Sequence, residues 1–293
     1  LERVYRKRIP FDKVVTPEFA KYISDLSFRT GRQIGALINR SGNITHVIIG
    51  DAKGILIPDL SDYPLGKKAL RGLRLIHTHL KNEPLDKDDL TDLSLLRLDI
   101  VAAIGIRDSL PDMIFTAHLM PEGALNLTEI AAPSNIYQFD MDFASFINAL
   151  EDEMERRRTF AHDKDRERAI LISVSSRPRH EQEDSIEELK DLAFSSGLIV
   201  LDTAIQRPKE INPRFLLGEG KLKEIIINAM NKGVTMLIFD QGLTPSQIKA
   251  IGELTELKVI DRPQLILDIF SQRAHSRDGK VQVELAQLKY RLP

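Results

Sequence analysis

The hydrophobic positions of the chain fall into two textures. Over residues 28 to 58 short apolar runs alternate with turn formers: "IGALIN", "RSGN", "ITHVIIG", "DAKG", "ILIPD". Ser-Gly and Lys-Gly break a chain into hairpins, so this stretch predicts an antiparallel meander. A further run, "LRLIH", leads toward "DKDDLTDLSLLRLD", where Leu90, Leu93, Leu95 and Leu96 are read at helical spacing behind an acidic start that suits a helix N-terminus. Two more strand-like runs follow, "IVAAIGI" and "MIFTAHLM". The mixture predicts an α+β unit with an open sheet over residues 1–150.

From Ala169 the pattern changes. "AILISV", "GLIVLDTAI", "TMLIFD" and "LKVID" are apolar throughout and alternate with the amphipathic stretches "DSIEELKDLAFSSG", "GKLKEIIINAMNKG" and "LTPSQIKAIGELTE". Continuous apolar strands separated by helices predict a small parallel α/β domain, residues 169–262, with its sheet covered on both faces. Residues 263–293 then carry two helical stripes, Leu265, Ile266, Ile269, Phe270 and Val281, Leu285, Leu288, Leu292, around the polar tip "SQRAHSRDGK". These predict an antiparallel helical hairpin held together by its stripes. The second stripe runs to Pro293 without a polar tail, which reads as a chain cut from a longer one. Between the two halves, "EDEMERRRTFAHDKDRER" (151–168) interleaves both signs of charge and reads as a charged linker or a solvated helix.

Composition narrows the function. With 41 Lys+Arg against 43 Asp+Glu the formal charge is -2, so nucleic-acid binding would have to come from a local patch. No cysteine is present, which removes disulfides, thiolate nucleophiles and Cys-ligated zinc. No apolar run reaches about eighteen residues and the start lacks a signal-peptide core, so a cytoplasmic monomer without a membrane span is expected.

Three places carry candidate chemistry. His77 and His79 end a strand, where alternate residues share a face, and Asp88 or Asp89 at the next helix start could close a metal triad. The plainer reading is surface decoration. Gly218 and Gly220 before a helix, with Lys221 in its first turn, could present N–H groups to a phosphate or simply be a flexible helix entry. A Walker A spacing, G-x-x-x-x-G-K-[ST], is absent from the sequence. At the hairpin tip Arg273, His275, Arg277 and Lys280 suit phosphate contacts, the alternative being a solvated turn. Asp202, Asp240 and Asp261 are read as ending strands, where open α/β sheets place ligands.

"HTHLKNEPLDKDD" resembles the His-x-His…Asp signature of the JAB/MPN metallopeptidase-like fold, including its RadC branch. The resemblance implies a zinc-type metal at His77 and His79 and a catalytic glutamate on an early strand. In "GRQIGALI" Arg32 stands in that slot, Asp86 replaces a serine, and the His-to-Asp spacing is about one residue short. A metal-water mechanism then lacks its proton acceptor, although Glu83 lies nearby in sequence. The expectation is an inherited scaffold with no catalytic residue; the alternative is a metal-dependent JAB-like hydrolase.

"RFLLGEGKLKEI", "LIFDQGLTPSQ" and "LKVIDRPQLILDIFSQRAHSRDGKVQVELAQLKYRLP" are similar to the amino-terminal region of the HflX family of translational GTPases, over about residues 169–293. That resemblance implies a ribosome-binding module that contacts the large subunit and its rRNA through the hairpin, in a protein that splits or rescues stalled ribosomes. GTP and Mg are implied for the full-length protein, whose GTPase domain is not part of this sequence.

Overall fold

The computed structural model describes residues 2–291 apart from 59, 61, 65–67, 122–123, 125, 162–166, 256 and 275. The chain divides into two compact units, residues 1–162 and 163–293. No described helix is long and apolar enough to cross a membrane.

The first unit runs α1 (Glu2–Tyr5), α2 (Pro17–Thr30), β1 (Ile34–Asn39), β2 (Ile44–Ile49), β3 (Leu73–His79), α3 (Lys87–Leu96), β4 (Ile100–Arg107), β5 (Leu110–Leu119), β6 (Thr128–Ile130), β7 (Ser134–Asn135) and α4 (Phe143–Ala161). The sheet order is β2-β1-β3-β4-β5-β6, with β7 pairing β5. Only β3 and β4 pair in parallel, because α3 connects them as a crossover; the other neighbours are antiparallel. Of the predicted meander, "IGALIN" and "ITHVII" form β1 and β2, whereas residues 55–58 of "ILIPD" form no strand. Pro58 removes a ladder donor from that run.

Helix α2 starts at Thr16, whose hydroxyl accepts from the Phe19 N–H at 3.3 Å, and ends at Gly31 in the left-handed conformation, φ 63°. It buries Phe19, Ala20, Ile23 and Ser27, the helical spacing of one face. The Thr78 hydroxyl, near the end of β3, donates to the Ser27 hydroxyl at 2.8 Å. Side chains alternate along a strand, so α2 lies on the face of residues 74, 76 and 78, and residues 75, 77 and 79 face the other side. Every residue of β3 is buried, so any nitrogen or oxygen of the polar Arg74, His77, Thr78 and His79 left without a partner carries a desolvation cost.

The charged stretch 151–168 is no linker in its first part. Residues 151–161 continue α4, and Glu151 is buried against Arg40. Interleaved charge permits a solvated helix, but here one carboxylate turns inward because a cation awaits it.

The second unit runs β8 (Arg168–Val174), α5 (Arg179–Ser195), β9 (Ile199–Gln206), α6 (Glu219–Asn231), β10 (Met236–Phe239), α7 (Pro245–Gly252), β11 (Lys258–Asp261), α8 (Arg262–Arg273) and α9 (Arg277–Arg291). The four strands are all parallel, in the order β11-β10-β8-β9. Ala169, Leu171, Met236, Ile238 and Ile260 pack with Ile186 and Leu189 of α5 and Leu265 and Ile269 of α8. Their neighbours Ile170, Ile172, Leu237 and Phe239 are also buried and point to the opposite face, as expected for a sheet covered on both sides.

Helices α8 and α9 form the predicted antiparallel hairpin: Gln287 donates to Asp268 at 3.0 Å, and the Tyr290 hydroxyl donates to Asp261. Asp261 also accepts from the Leu243 and Gln264 N–H groups at 2.8 and 3.0 Å, capping α8. The expectation that apolar stripes join the two helices is corrected. Leu265 and Ile269 belong to the core of the α/β domain, while Phe270, Val281, Leu285 and Leu288 are exposed by 50–58%. Periodicity shows that a helix has an apolar face; the polar pairs at Asp261 and Asp268 decide which side of α9 meets α8.

Candidate functional site

The first unit brings three of the predicted ligands together. His77 and His79 project from the same face of β3. Asp86 caps α3 and accepts from the Asp88 and Asp89 N–H groups, and Asp89 returns a carboxylate oxygen to the Asp86 N–H at 2.9 Å. This reciprocal cap fixes the Asp89 carboxylate, which faces both imidazoles: His77 Nε2 to Oδ1 is 3.4 Å and His79 Nε2 to Oδ2 is 3.5 Å. The ligand atoms of His77, His79 and Asp89 lie within 4.8 Å of one another, and all three residues are buried. Asp88, one position round the helix, is exposed and outside the triad.

The second contacts decide which nitrogens are free. His79 Nδ1 lies 2.9 Å from the Glu83 carbonyl, an acceptor, so Nδ1 keeps a proton, and in the neutral ring Nε2 is the atom whose lone pair faces the site. His77 is fully buried, and neither ring nitrogen makes a hydrogen bond. Its 3.4 Å approach to Asp89 meets the distance of an ion pair but is no hydrogen bond. An unsatisfied buried polar group costs about 1–3 kcal/mol. Burial pushes His77 down to about 4, outweighing Asp89, so the ring is neutral near pH 7. Burial also opposes the charging of His79 and Asp89, but their mutual contact and the Glu83 carbonyl win: His79 is raised and Asp89 held below its ordinary value. Two imidazoles and one carboxylate with converging lone pairs fit a divalent cation of the zinc class.

Arg32, which occupies the glutamate slot of the JAB/MPN pattern, is exposed. Gln33 beside it is the buried residue, with an Oε1 that has no hydrogen-bond partner. Glu83 is exposed and meets the site through its backbone carbonyl.

In the second unit Gly218 caps α6 in an extended conformation without a side-chain bond, Gly220 is exposed in the first turn, and Lys221 pairs with Glu224 at 2.8 Å. This is the arrangement of a helix entry whose lysine is engaged with its own helix. Asp202 lies within β9, not at its end, and binds Lys232 at 2.5 Å and Asn228 at 2.9 Å. Asp240 receives Arg262, Ser185 and Ser173, and Asp261 caps α8, so all three aspartates serve internal contacts. At the hairpin tip Arg273 and Lys280 are exposed; His275 and the Arg277 side chain lie outside the described residues.

Residues 183–271, within the second unit, match the family model described as "GTP-binding GTPase N-terminal". A GTPase HflX from Caldanaerobacter subterraneus subsp. tengcongensis is 45% identical over 130 residues, 44% of this chain and 30% of that protein. The GTPase HflX of Escherichia coli K12 is 39% identical over 124 residues, 42% of this chain and 29% of that protein. The matched segment thus spans under a third of each relative's length. Among solved structures, a GTP-binding protein from Sulfolobus solfataricus in complex with GDP is 30% identical, covering 43% of this chain and 37% of that one, with a TM-score of 0.36. Over this segment the second unit is similar to the amino-terminal region of the HflX GTPases.

Proposed function

We propose that the chain is the amino-terminal part of an HflX-type GTPase and that its second unit is a ribosome-binding module, contacting the large subunit and its rRNA and so helping to split or rescue stalled ribosomes in the cytoplasm. The observation that carries this reading is the family match over residues 183–271 of the second unit, directly followed in the chain by the hairpin tip where Arg273 and Lys280 are exposed. The 293 residues contain no Walker A spacing and therefore do not fit GTP and Mg; nucleotide chemistry belongs to the greater part of the relatives' length that this chain does not match.

Phosphate contacts by Arg273 and Lys280 release counterions, so affinity falls as salt rises. Replacing both with Glu should weaken binding to large subunits and make log affinity against log salt shallower by about 2. Circular dichroism serves as the folding control, since neither residue is buried. An unchanged affinity and slope would assign the contact to another surface.

The first unit supports a second reading: a JAB/MPN-like scaffold that holds a zinc-type ion at His77, His79 and Asp89. Its specific support is the fully buried His77 whose nitrogens have no hydrogen bond, next to two further ligand groups. A metal supplies Lewis acidity when bound, but hydrolysis also needs a positioned proton acceptor. Arg32 is a cation, Gln33 an amide, and the Glu83 side chain is exposed. The unit therefore acts as a metal-braced docking scaffold and not as a hydrolase.

A further inference from the structure

The His-His-Asp triad provides three ligands, and a tetrahedral ion has a fourth position. Gln33 directly precedes β1, is 4% exposed, and its Oε1 has no hydrogen-bond donor. Strand β1 runs antiparallel to β3 with Gly35 opposite His77, so moving from 35 to 33 follows β3 from 77 to 79. Side chains alternate between faces, and cross-strand neighbours share one. Residue 33 therefore belongs to the row of His79, on the face that carries both imidazoles. Gly35 keeps this row close: a Cβ placed there would stand 3.7 Å from the His77 Cβ. Gln33 Oε1 is thus a buried acceptor without a donor, in the strand row that carries the imidazoles, and a cation held by the triad would satisfy it.

We infer that Gln33 Oε1 is the fourth ligand, closing the centre as a four-coordinate His-His-Asp-Gln site with no position left for water. The inference rests on the reading that the triad holds a zinc-type ion. Structural zinc sites are closed in this way, whereas catalytic ones keep water in the fourth place. Gln33 thus supplies a physical reason for the unit to be a scaffold, independent of the missing glutamate.

Cobalt(II), whose visible absorption reports coordination, is the probe. The metal-free 293-residue chain is titrated with Co(II), and azide is then added. Wild type should bind the ion and give an intense four-coordinate spectrum that azide leaves unchanged. Gln33→Ala should bind Co(II) on the order of 10-fold more weakly, as when a supporting group of a metal site is lost, and its spectrum should shift with azide because a position has opened. Gln33→Glu keeps an oxygen at similar reach and should restore the azide-insensitive spectrum even if the alanine variant folds poorly. A wild-type spectrum that shifts with azide as readily as that of Gln33→Ala, or a Gln33→Glu spectrum that behaves like the alanine variant, would overturn the role of Gln33 while leaving the triad intact. Absence of Co(II) binding by wild type would instead remove the metal reading itself.

Discussion

Arg40→Met should destabilise the first unit by about 3–5 kcal/mol, the cost of removing one partner from a buried ion cluster. Arg40 grips Asp99 with Nε at 2.6 Å and Nη2 at 3.0 Å, and Glu151 with Nη1 at 2.7 Å and Nη2 at 2.9 Å. The Asp99 side chain is 0% exposed and that of Glu151 11%, so methionine would strand two carboxylates away from water. Burial already raises Asp99 despite its arginine, whereas Glu151, less buried and also 3.1 Å from Lys68, is held below its ordinary value. The two partners differ because burial outweighs pairing only at the wholly enclosed one. The cluster ties α4 to the ends of β1 and β4. Thermal unfolding should show a midpoint about 10 °C lower for the first unit, at 2–4 °C per kcal/mol for a domain of this size. A loss below about 1 kcal/mol, the range of exposed pairs, would mean that Arg40 is effectively solvated.

Zinc should produce an effect of similar size in the opposite direction. A ligand that binds only the folded state stabilises it by about 4 kcal/mol at a thousand times its Kd. The gain should appear as slowed amide exchange in β3 and α3, which carry the three ligands, and not in residues 169–293. His77→Ala should abolish the gain by removing a ligand from the centre of the triad. The same variant gains back part of the desolvation cost of an unsatisfied imidazole, so its metal-free form should lose less stability than the volume of the ring implies. Equal zinc protection in wild type and His77→Ala would place the ion elsewhere.

The sequence made some of this arrangement legible and hid the rest for physical reasons. The His-x-His spacing shows directly that both imidazoles share a strand face, because that period is two. Asp88 and Asp89 are both within reach on spacing alone; the capping box at Asp86 resolves them, and a register error of one residue turns a helix by about 100°. The parallel sheet was readable because β8 and β10 are apolar on both faces. The second helical stripe was readable as a stripe but not as an exposed one, since periodicity is silent about which face a neighbour covers. Arg40, Asp99 and Glu151 left no local signal: their separations of 59 and 111 residues are closed only by the tertiary fold. Gln33 was equally silent, one neutral polar residue beside the Arg32 to which the JAB/MPN resemblance drew attention.

Sedimentation of the 293-residue chain with purified ribosomal subunits tests whether the second unit binds the ribosome. The large and small subunits are presented separately at several salt concentrations. Co-pelleting with the large subunit should be saturable and weaken as salt rises, and pelleting with the small subunit should be much weaker at the same salt. Equal pelleting with both would reveal nonspecific attraction to RNA, and no pelleting with the large subunit at any salt would contradict the assignment of the second unit as a ribosome-binding module.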